Sequence, residues 1–419
     1  MNNELSKLLE HCLKCSICQS ACPVAAHNPE YPGPKALGPD LARMKCAGGV
    51  GGVSLDKKGL LNFLDMCSGC QRCDVACPFG VPVAQLIRRN RDLTEGKYSL
   101  RDKILAHPHL LGRMGTAMAP LANVVFRNAA LRKIMSGMLG LCMEQPFPFV
   151  ARKDILQPTL GRRPERMPAE PAVAAEKKAI YFPGCYVNYH RPEVGKTFLQ
   201  LLELLGVKTL VSQQICCGMP LLAAGNREQA CNAFQRNIRY FKDYLDQGYE
   251  IVTTCPSCGL ALKKIYVEEL GPGDAQQLAS ATYDFSEYLE PFSSRLAALA
   301  RPVRERAAFH LPCHTQAQGT GLLGLDLMRL IPGLELEVVE GCCGQSGTYG
   351  FKVENRGVST AISGSLGRQL TAINPHVIIS PCESCRERIS LETGVRTLHP
   401  VQILKAAVGS FPMDFQGTR

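Results

Sequence analysis

The sequence contains no tryptophan, and aromatic residues make up only 6% of its 419 residues. It also lacks a long hydrophobic run: GTAMAPLANVVF (115–126) falls well short of the ~20 apolar residues that cross a bilayer. The opening residues, MNNELSKLLEHCLKC, have neither an apolar stretch nor a small-residue cleavage site, so we expect no secretory signal. Because 46% of the residues are hydrophobic, we expect folded domains rather than a disordered chain.

Signatures of nucleotide binding are missing as well. No G-x-G-x-x-G follows a predicted strand, and Gly195-Lys196-Thr197 has His190 where a phosphate loop needs its first glycine. The glycine-rich run AGGVGGVSL (47–55) follows no predicted strand, so we interpret it as a loop. We therefore predict that this chain holds no flavin or nucleotide.

Acidic residues are outnumbered, 37 against 47 basic ones, which gives a formal net charge of +10. A basic surface suits nucleic acid or an anionic membrane face. Thiolates bound to metal would offset much of this charge, so the charge by itself does not decide between a nucleic acid and a membrane surface.

Cysteine is abundant, with 21 residues. Such a number indicates either the disulfide framework of a secreted protein or thiolate ligands in a reducing compartment. A chain of this length needs no disulfides to stabilise it, and an odd count cannot pair completely. We therefore predict a cytoplasmic, metal-binding protein.

Two N-terminal motifs carry the strongest signal. HCLKCSICQSACP contains C-x2-C-x2-C-x3-C-P, and MCSGCQRCDVACP repeats it. In ferredoxins with two [4Fe–4S] clusters, the fourth cysteine of each motif binds the other cluster. This rule assigns cluster 1 to Cys12, Cys15, Cys18 and Cys77, and cluster 2 to Cys67, Cys70, Cys73 and Cys22.

Zinc sites built from C-x2-C pairs are the alternative. Zinc needs four ligands and leaves the third closely spaced cysteine of each motif unexplained. The same argument disfavours a zinc-dependent nucleic-acid-binding protein, so we expect no nucleic-acid partner.

A second pattern is an internal repeat. Cys185, Cys216-Cys217 and Cys255/Cys258 (set A) recur as Cys313, Cys342-Cys343 and Cys382/Cys385 (set B), displaced by 126 to 128 residues. A tetrahedral zinc would leave one thiolate of each set over, whereas a larger iron–sulfur assembly can use five. Buried structural cysteines or a vicinal disulfide are the alternatives. We interpret Cys46, Cys142 and Cys231 as ordinary small apolar residues.

Each repeat has the pattern of an α/β unit. AIYFPGC, VKTLVSQQICCG and IVTTCPSC are β-rich runs that end in cysteine, and AAFHLPC, LELEVVEGCCG and VIISPCESC repeat them. Helical stretches lie between these runs, at 193–206, 226–248 and 322–333. Alternating strands and helices predict parallel sheets, in which ligands collect at the carboxyl ends of the strands. His190, His310 and His314 are close to cysteines of the sets; we consider both a proton-carrying and a structural role for them.

The overall fold class predicted is α+β. We expect a mostly helical ferredoxin-like domain with two [4Fe–4S] clusters at 1–100 and a helical linker at 101–178. A duplicated α/β cysteine-rich domain with parallel sheets follows, its halves spanning 179–300 and 301–419. In the linker, Arg113, Arg127, Arg132 and Lys133 punctuate apolar stretches. This pattern is typical of helices that lie in a membrane interface, but also of helices that pack on their own core or a partner.

The spacing of the repeat resembles the cysteine-rich CCG domain of heterodisulfide reductase subunits and of glycolate oxidase and lactate-utilisation iron–sulfur subunits. Complete five-cysteine sets in that superfamily can bind non-cubane [4Fe–4S] clusters, which implies up to two here. Four segments resemble, more narrowly, the C-subunit family of anaerobic glycerol-3-phosphate dehydrogenases: 21–40, 107–125, 331–355 and TLHPVQIL at 397–404.

The narrower resemblance implies an electron-transfer subunit on the cytoplasmic face of the inner membrane. It would accept electrons from flavoprotein dehydrogenase subunits, which oxidise glycerol 3-phosphate, and pass them to menaquinone. Cys255-Pro256-Ser257-Cys258 is fuller than that family suggests and leans toward the heterodisulfide reductases. The alternative hypothesis is therefore the catalytic subunit of a heterodisulfide or thiol–disulfide reductase that uses non-cubane clusters.

Overall fold

The computed structural model describes residues 7, 9–46, 56–91, 99–142, 150–151, 177–214 and 216–409. The glycine-rich run at 47–55 and the side chain of Cys46 lie outside this description.

Short helices form the N-terminal region, as the sequence predicts. Pro23 begins one of them, where its missing N–H leaves no intrahelical bond unmade. The helices are α1 (Ile17–Ser20), α2 (Pro23–His27), a π-helix (Ala36–Asp40), α3 (Leu41–Cys46), α4 (Lys57–Asp65), α5 (Arg72–Val75) and α6 (Val83–Asn90). Their apolar side chains share a core with Cys342, Tyr349 and Ile362 of the second repeat, so this region packs directly on the C-terminal half.

Four amphipathic helices follow: α7 (Leu100–Leu105), α8 (Pro108–Ala117), α9 (Ala119–Arg127) and α10 (Ala129–Leu139). Small residues mediate their contact with the protein, since Gly112 lies against the ring of Tyr189. Many of their large apolar side chains face outward, among them Leu110, Leu111, Met114, Met118, Leu121, Val124, Ile134 and Met138. In the described part of the chain, no helix is both long and apolar enough to cross a bilayer.

The first repeat contains a four-stranded, fully parallel sheet in the order β2-β1-β3-β4. Its elements are β1 (Lys178–Tyr181), α11 (Gly184–Tyr189), α12 (Pro192–Leu204), β2 (Lys208–Val211), α13 (Met219–Ala223), α14 (Arg227–Leu245), β3 (Glu250–Thr253), α15 (Pro256–Leu260), a π-helix (Ala261–Ile265), α16 (Tyr266–Leu270), α17 (Asp274–Ser280), β4 (Thr282–Asp284), α18 (Phe285–Leu289), a 3-10 turn (Glu290–Phe292) and α19 (Ser293–Leu299).

The second repeat reproduces this topology with the order β6-β5-β7-β8. Its elements are β5 (Arg306–Leu311), α20 (Cys313–Ala317), α21 (Gly321–Arg329), β6 (Glu335–Glu340), two 3-10 turns (Tyr349–Phe351 and Val353–Asn355), α22 (Arg356–Ala372), β7 (Val377–Ile379), α23 (Glu383–Thr393), β8 (Thr397–Leu398) and α24 (Pro400–Val408). The prediction of parallel sheets is confirmed. Sequence reasoning missed the short outer strands β4 and β8, which hold too few residues to show a pattern.

One hydrophobic core spans both repeats. It contains Ala179 and Val252 from the first sheet, Ala307 and Val377 from the second, and the side chains of α12 and α24 between them. The boundaries proposed at 100, 178 and 300 stay predictions. The two repeats nevertheless stabilise each other, because residues of both sheets are buried in this one core.

Buried charge ties the N-terminal region to the first repeat. Glu269, at the end of α16, has a fully buried side chain that lies 2.6 Å from Nε of Arg227, 3.5 Å from Arg89 and 3.7 Å from Arg88. Arg88 and Arg89 belong to α6, so one carboxylate neutralises cations from two regions of the chain.

We expect Glu269→Ala to destabilise the protein by about 2–3 kcal/mol, because Arg227, Arg88 and Arg89 would lose a buried counter-charge, while Arg88 keeps an ion pair with Glu268. The midpoint of thermal unfolding, measured without oxygen, should fall by roughly 5 °C. Asp274→Asn is the matched control, since it breaks the exposed pair with Lys242. Equal effects of the two substitutions would contradict a structural role for the Glu269 contacts.

Candidate iron–sulfur sites

Left-handed backbone residues shape both ferredoxin motifs. Lys14 and Ser16 have φ of 59° and 67°, and the corresponding Gly69 and Gln71 have φ of 70° and 59°. A residue with positive φ reverses the local direction of the chain, and only glycine adopts it without strain. Placing one between successive cysteines lets three closely spaced side chains turn toward a common point.

The cluster 1 cysteines come together as the spacing rule predicts. Cys12, Cys15, Cys18 and Cys77 line one pocket at the surface of the N-terminal region. Burial raises the pKa of Cys18, and neighbouring Cys12, Cys77 and Cys15 raise it further. Cys77 comes from the second motif, so the crossed arrangement brings the two motifs together.

The cluster 2 cysteines form the reciprocal arrangement more deeply. Burial raises the pKa of Cys22 to about 12, and Cys70 and Cys67 contribute to that rise. Burial also raises the pKa of Cys73, whose neighbours include Cys70, Cys67 and Cys22. The structure thus brings each predicted set of four together, while ligation by these residues stays a prediction.

In set A all five cysteines lie at the carboxyl edge of the first sheet. Cys185 and Cys216 are neighbours, and Cys258 lies beside both Cys217 and Cys255. The interaction with Cys185, and a weaker one with His109, lower the pKa of Cys216 to about 5. The Gly218 N–H also donates to Cys216 Sγ at 3.5 Å.

Set B repeats this arrangement at the edge of the second sheet. Cys342 lies beside Cys313, and Cys385 lies beside Cys343 and Cys382. The interaction with Cys385 lowers the pKa of Cys382 to about 7. The Gly344 N–H donates to Cys342 Sγ at 3.4 Å, as Gly218 does in set A.

The donor sets fit iron–sulfur clusters chemically. Every described cysteine is a free thiol. Thiols converge in fours and fives, although within the described residues no group of three or more is arranged for a single metal ion. Buried thiols that raise one another's pKa lose their protons readily only when a cation binds the sulfur in place of the proton, and thiolates are the ligands that such clusters require.

The sites are in contact with one another. Cys70 of cluster 2 lies against Cys342 of set B and near Cys313. His314, which follows Cys313 of set B, lies 2.8 Å from Ser257 Oγ of set A through its Nδ1. Set B is therefore next to both cluster 2 and set A, which the sequence order alone does not indicate.

The amphipathic helices reach set A. His109, on α8, lies beside Cys216, and Tyr189 lies near Cys185, Arg113 and Cys216. Sequence reasoning missed His109, because no spacing links it to a cysteine more than a hundred residues away. Of the histidines considered as proton carriers, His310 in β5 and His314 beside Cys313 bond to backbone carbonyls. His190 follows α11 and packs against the ring of Tyr186.

Two further described cysteines belong to none of the four sets. Cys142 is buried at the end of the amphipathic region, where its N–H donates to the Phe351 carbonyl. Cys231 is half-buried on α14. Neither lies at a strand end with the other cysteines.

Comparisons with known proteins match the same regions. A cysteine-rich domain model, CCG, matches residues 179–263 and 307–390, and a 4Fe-4S dicluster domain model matches residues 8–81. These matches confirm the predicted fold class of a dicluster domain followed by a duplicated CCG domain.

Three relatives show the range of similar proteins. The C subunit of anaerobic glycerol-3-phosphate dehydrogenase from Escherichia coli (strain K12) is 33% identical over 410 residues, covering 95% of this chain and 98% of that protein. The probable glycolate oxidase iron–sulfur subunit of Bacillus subtilis (strain 168) is 24% identical, covering 96% and 94%. The B subunit of fumarate reductase (CoM/CoB) from Methanothermobacter marburgensis is 26% identical, covering 92% and 68%.

Substituting Gly184 tests set A. Gly184 has φ of 71°, and a Cβ there would lie 2.9 Å from Cys258 Sγ. With all four sets filled we expect about sixteen irons per chain, against about twelve in Gly184→Ala. The measurement is iron and sulfide content after anaerobic purification.

Gly206→Ala is the matched control, because Gly206 has φ of 74° but open space around it. It carries the same backbone strain without the contact to sulfur. About eight irons in the unmodified protein would contradict clusters in sets A and B. An unchanged count in Gly184→Ala would contradict a cluster in set A.

Proposed function

The chain belongs to the family of the C subunit of anaerobic glycerol-3-phosphate dehydrogenase, and from this membership we propose that it is the iron–sulfur electron-transfer subunit of a membrane-associated anaerobic respiratory dehydrogenase. A flavoprotein partner oxidises the substrate, glycerol 3-phosphate by family likeness, and menaquinone receives the electrons. The observation that carries the proposal is the contiguous series of cysteine sites between two exposed apolar surfaces.

Electrons enter at cluster 1 in this proposal. Cys15 is exposed, and Leu13, Ile17 and Phe79 line the same pocket with exposed fractions of 65%, 42% and 43%. Exposed apolar side chains around a redox site suit docking of a protein partner, because burying them stabilises the complex. We assign this surface to the flavoprotein subunit.

The interior of the molecule supports transfer from cluster 2 to set B. Iron–sulfur clusters, when bound, accept and release electrons one at a time. The chain's own contribution is to hold Cys70 against Cys342 and to exclude water there, since both thiols are buried. Set A then lies on the far side of α20, whose packing against α15 brings the two C-terminal sets together.

Electrons leave at set A, next to the amphipathic helices. Exposed Met114, Val124 and Met138, with exposed fractions of 67%, 61% and 80%, present an apolar face. Arg113, Arg127 and Lys133 lie on the same helices. An apolar face flanked by cations matches the acyl boundary and anionic headgroups of a membrane surface, so we propose peripheral binding at the cytoplasmic face of the inner membrane.

A second candidate function is heterodisulfide or thiol–disulfide reduction at sets A and B. The observation that favours it is that both five-cysteine sets are complete and fully assembled. In this case the chain would be the catalytic subunit, and the electrons would be used for breaking an S–S bond rather than for reducing a quinone.

The two functions are separated by the acceptor. We expect the anaerobically reduced protein to reoxidise with a soluble menaquinone analogue at a rate at least tenfold above that with a low-molecular-weight disulfide. Reoxidation is followed by the visible absorbance of the clusters. Faster oxidation by the disulfide would favour the reductase, and no reaction with the quinone would contradict the proposal.

Membrane binding is tested with vesicles of phosphatidylethanolamine and phosphatidylglycerol. We expect the triple substitution Met114→Gln, Val124→Gln and Met138→Gln to weaken binding at least tenfold, because it removes apolar area from the bound face. Leu322→Gln with Leu391→Gln is the control, since these exposed residues lie on α21 and α23. If both variants co-sediment with the vesicles to the same extent as the unmodified protein, a membrane role for α8–α10 is contradicted.

A further inference from the structure

Three histidines share one unusual contact, His310 and His399 being buried and His314 half-buried. Each places Nε2 against the backbone carbonyl of the residue that directly precedes a cysteine of the sites. His314 bonds to Gly69, before Cys70, at 3.3 Å; His310 bonds to Gly341, before Cys342, at 3.1 Å; His399 bonds to Thr254, before Cys255, at 3.1 Å.

The opposite ring nitrogen is also used in each case. Nδ1 of His314 meets Ser257 Oγ at 2.8 Å, and Nδ1 of His310 meets Ser380 Oγ at 3.0 Å. Nδ1 of His399 accepts from the Val401 N–H at 3.1 Å. Because a carbonyl oxygen only accepts, Nε2 carries the hydrogen in all three rings and Nδ1 is the acceptor. Burial lowers the pKa of all three, which supports the neutral form.

His314 joins three sites at once. It follows Cys313 of set B in sequence, donates to the cluster 2 loop at Gly69, and accepts from Ser257, which lies between Cys255 and Cys258 of set A. These bonds therefore fix the position of its helix, α20, relative to the cysteine loops of cluster 2 and set A. Gln318 adds a second contact to set A, since its Nε2 donates to the Pro256 carbonyl at 2.9 Å.

His310 connects two loops of set B. Its Nε2 holds the Gly341 carbonyl, while Ser380 donates to its Nδ1 and also accepts from the Cys382 N–H at 3.5 Å. The ring thus fixes the backbone before Cys342 relative to the backbone at Cys382. It also lies within β5, so the sheet itself orients it.

His399 connects the two repeats. The carbonyl of Pro381, which precedes Cys382, lies within bonding reach of the same ring that holds the Thr254 carbonyl. Thr254 and Pro381 occupy equivalent positions in the two repeats, each directly before the first cysteine of a C-x2-C pair. The Cys255 N–H is held as well, by Thr253 Oγ1 at 3.2 Å, so the peptide before Cys255 is anchored on both sides.

We propose that three histidines are positioning residues that fix cysteine-bearing loops by clamping the carbonyl before a cysteine. His314 acts before Cys70 of cluster 2, His399 before Cys255 of set A, and His310 before Cys342 of set B. His314 additionally couples cluster 2 to set A through the element that carries set B. A planar trans peptide orients its N–H opposite to its C=O, so clamping one carbonyl also sets the direction of the next residue. The proposal rests on the cluster-binding part of the proposed function, but not on the donor or the quinone.

The test compares His→Phe with His→Gln at each position in the full-length, anaerobically purified protein. Glutamine can still donate from its amide to the carbonyl, whereas phenylalanine keeps the bulk and removes the bond. The measurements are the electron paramagnetic resonance spectrum, the iron content, and hydrogen–deuterium exchange of peptides that contain Cys70, Cys255 and Cys342. His376→Phe is the control, because His376 is an exposed histidine paired with Glu305.

For His314→Phe we expect altered resonance signals at cluster 2 and set A together, and about tenfold faster exchange in the loops at Cys70 and Cys255. His314→Gln should restore both. His399→Phe should speed exchange at Cys255, and His310→Phe at Cys342, with the cluster 1 signal unchanged.

Two results would overturn the proposal: exchange at all three loops unchanged in the phenylalanine variants, or a uniform rise across the chain with no rescue by glutamine. Exchange is measured without donor or quinone. A protein that fails to reduce the menaquinone analogue can therefore still pass this test, and the two failures are distinguishable.

Discussion

The structure depends on buried thiols that meet across regions of the chain, above all Cys70 with Cys342. Two thiols in a water-poor site resist losing their protons, because each thiolate lacks hydration and repels the other. Such thiols pack stably when they keep their protons. They also pack stably as thiolates when several of them share a cation. Binding of iron and packing of the N-terminal region on the second repeat are therefore coupled, and the ferredoxin-like part is not an independent attachment.

Two different backbone solutions bring the cysteines together. In the repeats, parallel strands deliver one cysteine loop after another to the same edge, as Cys185 and Cys255 do after β1 and β3. The N-terminal region lacks a sheet among its described residues, and residues with positive φ, such as Ser16 and Gln71, turn the chain instead. Sheet topology is tolerant of side-chain identity, whereas a left-handed turn in a non-glycine residue is maintained only by surrounding contacts.

The polar interior combines ions with neutral donors. Toward the first repeat, the N-terminal region is held by ions, with Glu269 among arginines of α6 and α14. At the cysteine loops, buried neutral histidines such as His310 and His399 hold backbone carbonyls, and the buried pair of Glu383 and Arg386 lies beside Cys382 and Cys385. A neutral histidine holds a carbonyl without adding a further charge near the thiolates, and fixed charges shift the potential of a redox site.

Much of this protein was determined by local pattern. The two C-x2-C-x2-C-x3-C-P motifs, the repeat displaced by 126 to 128 residues, and the strand runs ending in cysteine are written within short windows. They predicted the fold class and every cysteine of the four sets. Only the tertiary structure decided that Cys70 lies against Cys342, that His109 reaches Cys216, and that His399 bonds to the Thr254 carbonyl in the other repeat. The reason is physical: spacing constrains residues that share a turn or a strand end, whereas contacts between distant segments follow from which faces can be buried together.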